Sequence, residues 1–600
     1  MRDTELTIFM ILQKTVFPCA FAKDAEELYF RADDNVKNDG EKLVFSAGGT
    51  CAFDTYTAVF SLDKWTRYAF VGEVFLSVKA KGKFLLSIFR RFYDAQGGNA
   101  QKDERCYFAE FTDETTVSLP KGEGICYFVL NAKTDGEFYG AEFFTEKPCE
   151  NEVKLCAIIC TYKREEFVKK NLKTLKERLI DDKDNALYGK FKVIVADNGQ
   201  TLDPNAFNSD EITIFPNKNA GGAGGFTRGI MEAKKLERQG FTHIVLCDDD
   251  VVFDAESFLR VFSILSYVKP EYKDVFIGGA MLRTDDASIQ NERADRWDYA
   301  RGKVVPIGHI LDLSDGKNLL ENESEEEINY LSWWFCAMPI TVPTDENLPL
   351  PLFIKRDDIE YGLRNGKHFM TLNGIFVWHE PFETKRPAFL EYYYNRNQCI
   401  MESIHKKDFN AKTLKKRMLK ETLRGILTFR YNEAKAAIKG AEDFLRGIEW
   451  LKKIDPTALN AEIMKYNAIS VNLTNTDSFD EYEKLKKWSV KKKIAACLTF
   501  NGWLIPSKKV ITVPSVRPSY KAFFGVKEAI NYDEKTGKGY ATKRSAKEAK
   551  NCLKALLLLI KEINKNFDAA KEEYRTRYSE ITNLGFWKEY LGITETGNRE

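Results

Sequence analysis

Asp248, Asp249 and Asp250 stand in a row directly after the apolar run His243-Ile-Val-Leu-Cys247. Three carboxylates at the carboxyl end of a buried strand, with no cation beside them in the local sequence, are hard oxygen ligands suited to Mg²⁺ or Mn²⁺ holding a diphosphate. Side chains alternate along an extended segment, so Asp248 and Asp250 point one way and Asp249 the other. The competing reading is a solvated acidic turn. Upstream, Asp197-Asn-Gly199 follows the apolar run Val193 to Ala196, and Asn217-Lys-Asn219-Ala-Gly221-Gly222-Ala-Gly224-Gly225 opens a helix near Phe226. Glycines allow close backbone approach, and a helix N-terminus offers free N–H groups to negative charge. A GxxxxGK[ST] loop is absent, as is GxGxxG after a strand, and a Gly-rich stretch alone serves equally well as a tight turn.

The elements that must position these groups follow from hydrophobic period. From Val153 the pattern alternates apolar strand and amphipathic helix: Leu155 to Cys160, Glu165 to Arg178, Lys192 to Ala196, Phe226 to Gln239 and His243 to Cys247. Such alternation predicts an α/β sheet with parallel pairs, whose site lies at the carboxyl ends of the strands. Residues 151–400 are therefore the expected catalytic domain. Residues 1–150 have period two: Val74 to Ala80, a turn at Gly82-Lys83 and Phe84 to Phe89 read as a hairpin, with further strands near Thr55 to Leu62, Cys106 to Phe111 and Gly124 to Leu130. They predict a β-sandwich or jelly-roll-like domain. Residues 401–600 are expected to be mostly helical, with Leu419, Leu423, Ile426 and Leu427 on one face and a second helical stretch from Ser545 to about Tyr578.

The bulk properties narrow the function classes. Six hundred residues exceed one hydrophobic core, and 90 Lys+Arg against 89 Asp+Glu leave no global field for a dedicated nucleic-acid binder. Twelve scattered cysteines without a CxxC pair point to reduced thiols and a cytoplasmic setting. Leu6 to Leu12 is apolar but is read as a first strand rather than a signal segment, since Asp3 and Glu5 precede it. No run reaches the ~20 residues that span a bilayer. Lys484, Lys486, Lys487, Trp488, Lys491, Lys492, Lys493, Phe500 and Trp503 interleave basic and aromatic residues. They fit either a solvated helical face or peripheral contact with an anionic membrane.

Taken together, Cys160-Thr-Tyr-Lys-Arg164, Asp197-Asn-Gly199, the asparagine-glycine loop and Asp248-Asp-Asp250 resemble the successive motifs of inverting GT-A glycosyltransferases of family two. Ser332-Trp-Trp-Phe-Cys-Ala-Met-Pro339, Phe353-Ile-Lys-Arg-Asp-Asp-Ile-Glu-Tyr361, Val377-Trp-His-Glu380 and Tyr392-Tyr-Tyr-Asn-Arg-Asn397 look like one branch, the polymerising galactofuranosyltransferases of cell-envelope galactans. The resemblance implies a GT-A domain between an N-terminal β-sandwich and a helical C-terminal region. It implies transfer of galactofuranose from UDP-galactofuranose to a lipid-linked or oligosaccharide glycan, at the inner face of the cell membrane, and leaves homo-oligomers open.

Site roles carry over by motif. Asp248, Asp250 and His379 would hold Mn²⁺ or Mg²⁺, a His beside carboxylates being a fit ligand for Mn²⁺. Asp358 would be the base, with Asp357 orienting the sugar, because inversion requires a carboxylate opposite the leaving diphosphate; an N-cap role is the rival for either. Thr161, Arg164, Asp197, Asn219, Asp248 and Asp249 would hold the donor, with Lys163 a competitor to Arg164. Trp333, Trp334, Glu360 and His379 would meet the acceptor, at least one tryptophan lining it with a flat face; the alternative for the pair is core packing. Rival functions are transfer from another nucleotide sugar such as a rhamnose donor, a non-catalytic glycan-binding scaffold, and a paired-carboxylate hydrolase.

Overall fold

The computed structural model describes residues 10–94, 100–381, 387–473 and 479–593. The chain divides into two compact units. The first comprises residues 1–218, 225–344 and 361–380, and the second residues 219–224, 345–360 and 381–600.

In the first unit the N-terminal residues form ten strands hydrogen-bonded into one antiparallel sheet. Its backbone is Val74–Asp94, a single strand of 21 residues. The expected hairpin at Gly82 is therefore corrected. Gly82 sits at φ +111° and kinks one strand at a register shift. The two halves on either side of this bulge have different partners, Gly136–Thr145 for one and Ile125–Ala132 for the other. Ala100–Ser118 runs along the opposite edge of both halves. The Thr55 to Leu62 strand shrinks to Phe60–Ser61, because Ser61 caps the helix Leu62–Tyr68. Met10–Lys14 is a strand, and residues 6–9 of the apolar start lie outside the described residues.

The catalytic sheet follows: β1 (Leu155–Thr161), α1 (Glu165–Leu175), β2 (Phe191–Asp197), β3 (Ile212–Pro216), α2 (Gly221–Lys234), β4 (His243–Asp248), β5 (Val252–Phe253), β6 (Val275–Arg283), β7 (Phe335–Pro339), α3 (Asp357–Asn365) and β8 (His368–His379). Strand order runs β3-β2-β1-β4-β7-β6. The pairs among β3, β2, β1 and β4 are parallel, β7 is antiparallel to β4 and β6, and β8 is parallel to β6. The central parallel strands are buried almost throughout, as a sheet covered on both faces demands.

The N-terminal sheet and the catalytic sheet share one hydrophobic core. The helix Glu256–Tyr267 lies at their junction. Arg260 in it is 1% exposed, bonded to Glu256 at 3.2 Å and donating to the Asn373 carbonyl at 3.2 Å, with a further N–H to the Thr57 carbonyl. Tyr29 donates to Asp254 at 3.1 Å across the same junction.

In the second unit, helices Leu390–His405 (α4), Ala411–Leu427, Tyr431–Phe444 and Ala546–Arg577 enclose a core that includes Ile400, Met418, Phe444, Leu559 and Phe567. Residue 400, where the sequence reading divides the chain, lies within α4. Leu419 and Leu423 prove 44% and 39% exposed; the packed face of their helix is Leu414, Met418, Gly425 and Ile426. Residues 471–543 also contribute a four-stranded sheet that helical periodicity did not reveal. All twelve cysteines are free thiols. Among the described residues, no helix is long and apolar enough to cross a membrane.

Candidate active site

The acidic triplet sits where β4 ends. Val252 pairs with Trp378 and Phe253 with Val377, so the short strand β5 lays the segment just after the triplet against the end of β8 and brings it beside His379. Asp248, Asp250 and His379 then offer one ligand atom each, all within 4.8 Å of one another. The His379 Nδ1 lies 2.7 Å from the Glu380 carbonyl, which as a pure acceptor takes the Nδ1 proton and leaves Nε2 facing Asp250 at 3.2 Å. Hydrogen bonding and charge from His379, with Arg164 adding to it, outweigh burial and hold the Asp250 carboxyl well below the usual range. Burial pulls His379 down, but the Asp250 carboxylate, with Asp248 and the Glu380 carbonyl adding to it, raises it above its ordinary value. Two carboxylates and a neutral-capable imidazole form a donor set that fits Mn²⁺ or Mg²⁺.

Asp249 stands outside this triad, in the turn that follows β4. It accepts from the Thr161 hydroxyl at 2.8 Å and from Arg164 at 3.0 Å, and Arg164 also pairs with Asp250. The triplet thus does have a cation, supplied from 85 residues upstream of Asp249 rather than from the local sequence. Asn171, on α1, was not singled out from sequence. Its amide donates to the carbonyls of Asp249 at 3.1 Å and Val251 at 3.0 Å and fixes the acidic turn; a buried amide on an otherwise amphipathic helix was the one available signal.

Asp197 ends β2 fully buried. One oxygen accepts from the Gly199 N–H at 2.9 Å and the other from Thr201 at 2.7 Å and Leu202 at 2.8 Å, so this carboxylate organises its own loop. Trp333 and Trp334 are each 5% exposed. Trp333 meets Phe226 and Tyr361 edge-on, while the Trp334 indole donates to the Gly279 carbonyl at 2.8 Å and its own carbonyl accepts from the Asp248 N–H at 3.4 Å. Both rings are almost wholly enclosed by protein.

The remaining candidates belong to the second unit. Asp357 and Asp358 open α3; Asp358 is partly buried and its carboxylate accepts from the Ile359 N–H at 2.7 Å. Burial raises the Asp358 carboxyl above its ordinary range, opposed by that N–H and by Lys355 and Arg356. Glu360 is fully buried and its carboxylate lies 3.0 Å from His405 Nε2. Asn219 accepts from the Gly221 N–H at 3.1 Å, and its carbonyl receives the Thr457 hydroxyl at 2.8 Å. Gly221 stands at φ +72° against Phe353, where a Cβ would lie 2.2 Å from the Phe353 carbonyl oxygen.

Residues 156–322 match the model of glycosyl transferase family 2. This stretch is a glycosyltransferase domain. The chain is 27% identical to the galactofuranosyltransferase GlfT2 of Mycolicibacterium smegmatis over 438 residues, covering 68% of this chain and 66% of that protein. It is 26% identical to GlfT2 of Mycobacterium tuberculosis over 451 residues, 70% and 68% of the two chains. The matches thus span about two thirds of each relative's length. Among solved structures, a mannosyltransferase of Pyrobaculum calidifontis with GDP-mannose and Mn²⁺ aligns at 13% identity over 43% of this chain and 66% of its own, with a TM-score of 0.26.

Proposed function

We propose that the chain is an inverting, metal-dependent transferase that moves galactofuranose from UDP-galactofuranose to a growing cell-envelope glycan. The observation that carries this reading is the convergence of Asp248, Asp250 and His379 at the carboxyl ends of β4 and β8 of a family 2 domain. The donor sugar rests on the names of the two mycobacterial relatives. A divalent ion bound there would neutralise the diphosphate as it departs. Thr161 and Arg164 hold Asp249 and so orient the triplet from beneath; Asp197 and Asn219 shape the loops that receive the nucleotide. Asp358 takes the proton of the attacking acceptor hydroxyl, and Asp357 orients the sugar. Burial suits Asp358 to that role, since a raised carboxyl is a stronger base than a free one.

In this reading the N-terminal sheet is a jelly-roll-like sandwich that is welded to the transferase core, and the second unit brings the chain to a lipid-linked acceptor. Val490, Ile494 and Leu498 recur every four residues on one helix and are 70%, 57% and 73% exposed. Lys491 and Lys493 are exposed on the same helix, and Phe500 and Leu504 follow at 70% and 68% exposure. Apolar residues beside cations suit peripheral contact with an anionic leaflet.

The test is a panel of nucleotide sugars with Mn²⁺ or Mg²⁺ and a short galactoside-lipid acceptor, followed by nucleotide release and product mass. Hexose gain from UDP-galactofuranose alone supports the proposal. Reaction only with another donor removes the donor assignment, and release of sugar from the acceptor without nucleotide would mean a hydrolase.

A further inference from the structure

Within the second unit, the segment leading into α3 has a backbone that its sequence does not favour. Phe353, Lys355 and Arg356 stand at φ +72°, +66° and +76°, the left-handed region that L side chains seldom adopt. Three such residues in four, none a glycine, persist only where the surroundings over-determine them. The surroundings here are two side chains of α4. The amide nitrogen of Asn397 lies 3.0, 2.8 and 2.8 Å from the carbonyls of Leu352, Ile354 and Lys355, its two protons shared among three acceptors. Arg396 donates to the Leu352 carbonyl at 2.7 Å. It also donates through Nε to the Asn397 oxygen at 2.9 Å, which fixes the amide's orientation and aims its NH₂ at the segment. Arg396 is 1% exposed and Asn397 fully buried, so water does not compete. The Ala223 N–H, in the Gly-rich loop, also donates to the Phe353 carbonyl at 3.0 Å, and Tyr393, on α4 as well, stacks on the Phe353 ring at 5.2 Å.

The helix hydrogen bonds begin at this segment, the Glu360 N–H donating to the Arg356 carbonyl at 2.9 Å, so its conformation sets where α3 starts and where Asp358 points. We infer that Asn397, oriented by Arg396, is a positioning residue that holds the left-handed segment 353–356 and thereby aims the Asp358 carboxylate at the acceptor hydroxyl. The inference rests on the proposed role of Asp358 and adds a residue that touches no substrate.

Asn397→Asp keeps the shape and removes the donating NH₂; Asn397→Ala removes both. Transfer from UDP-galactofuranose, UDP affinity and the thermal midpoint are measured for each, alone and combined with Asp358→Asn. The expected result is a kcat at least about 30-fold lower with donor KM and UDP affinity within about twofold, a misaimed base costing turnover rather than binding. In the Asp358→Asn background the same substitutions should lower residual transfer no further. Wild-type kcat in Asn397→Asp, loss of UDP affinity in step with transfer, or an equal loss in both backgrounds overturns the inference while the base assignment stands. Asp358→Asn at wild-type rate removes the base assignment and this inference together.

Discussion

At the scale of single residues the site is defined by who faces whom. His379 is the one nitrogen donor of the triad, and its second nitrogen is already oriented by the Glu380 carbonyl. His379→Ala should weaken Mn²⁺-dependent UDP binding by about 10- to 100-fold, with metal-free binding unchanged; titration calorimetry with Mn²⁺ and with chelator reads the difference. As the proposed base, Asp358 should set the pH dependence of transfer. Its folded carboxyl is raised, so the base form fills only above the ordinary carboxylate range. Transfer should therefore rise with pH through that raised value and fall away below it. An acid limb of kcat at or below the ordinary Asp pKa of ~3.9 would count against Asp358 as the base.

At the scale of elements, α2 approaches β1 closely enough to forbid side chains. A Cβ on Gly229 would lie 2.2 Å from Ile158, and one on Gly225 would lie 2.1 Å from the Cys160 sulfur. Gly229→Ala should cost about 1–3 kcal/mol of stability through overpacking, despite the better helix propensity of alanine. An unchanged denaturant midpoint would show that the helix can shift without loss. The glycines of the asparagine-glycine loop thus have two duties: those at the helix start admit the Phe353 backbone, and those farther along let the helix lie on the sheet.

At the scale of the whole molecule, the first unit keeps a buried carboxyl in its interior. Glu323 accepts from Ser61 of the N-terminal sheet region and from Asn373 at 3.0 Å, and burial lifts it to about 7. A carboxyl raised in the folded state binds its proton more tightly there than in the unfolded chain. Its contribution to stability is thus complete below the unfolded pKa and is lost as pH rises through 7. The difference is roughly 3 kcal/mol between the limits. Glu323→Gln should flatten the fall in thermal midpoint between pH 5 and 8.5, and equal slopes for both proteins would remove this residue from the pH response. The exposed face of Val490, Ile494 and Leu498 belongs to the same scale. Ile494→Glu with Leu498→Glu should cut sedimentation with anionic vesicles about tenfold at low salt and leave transfer to a soluble acceptor intact.

The sequence by itself determined what depends on local order. Strand-to-helix alternation gave the α/β domain, and period two gave an antiparallel β region. Each follows from the fixed periods of strand and helix. Tertiary structure alone decided what depends on partners distant in the chain. Arg164 reaches Asp249 of the acidic triplet across 85 residues, and Asn397 reaches Leu352 across 45. The bulge at Gly82 reads as a turn until its two halves are seen with different neighbours, since a glycine at positive φ serves either purpose. That Trp333 and Trp334 are each 5% exposed is likewise absent from the sequence, because burial depends on what packs around a side chain. Leu419 and Leu423 have the spacing of a packed stripe, yet the packed face lies elsewhere on their helix, because period locates an apolar stripe and only the neighbouring helices decide which residues they cover.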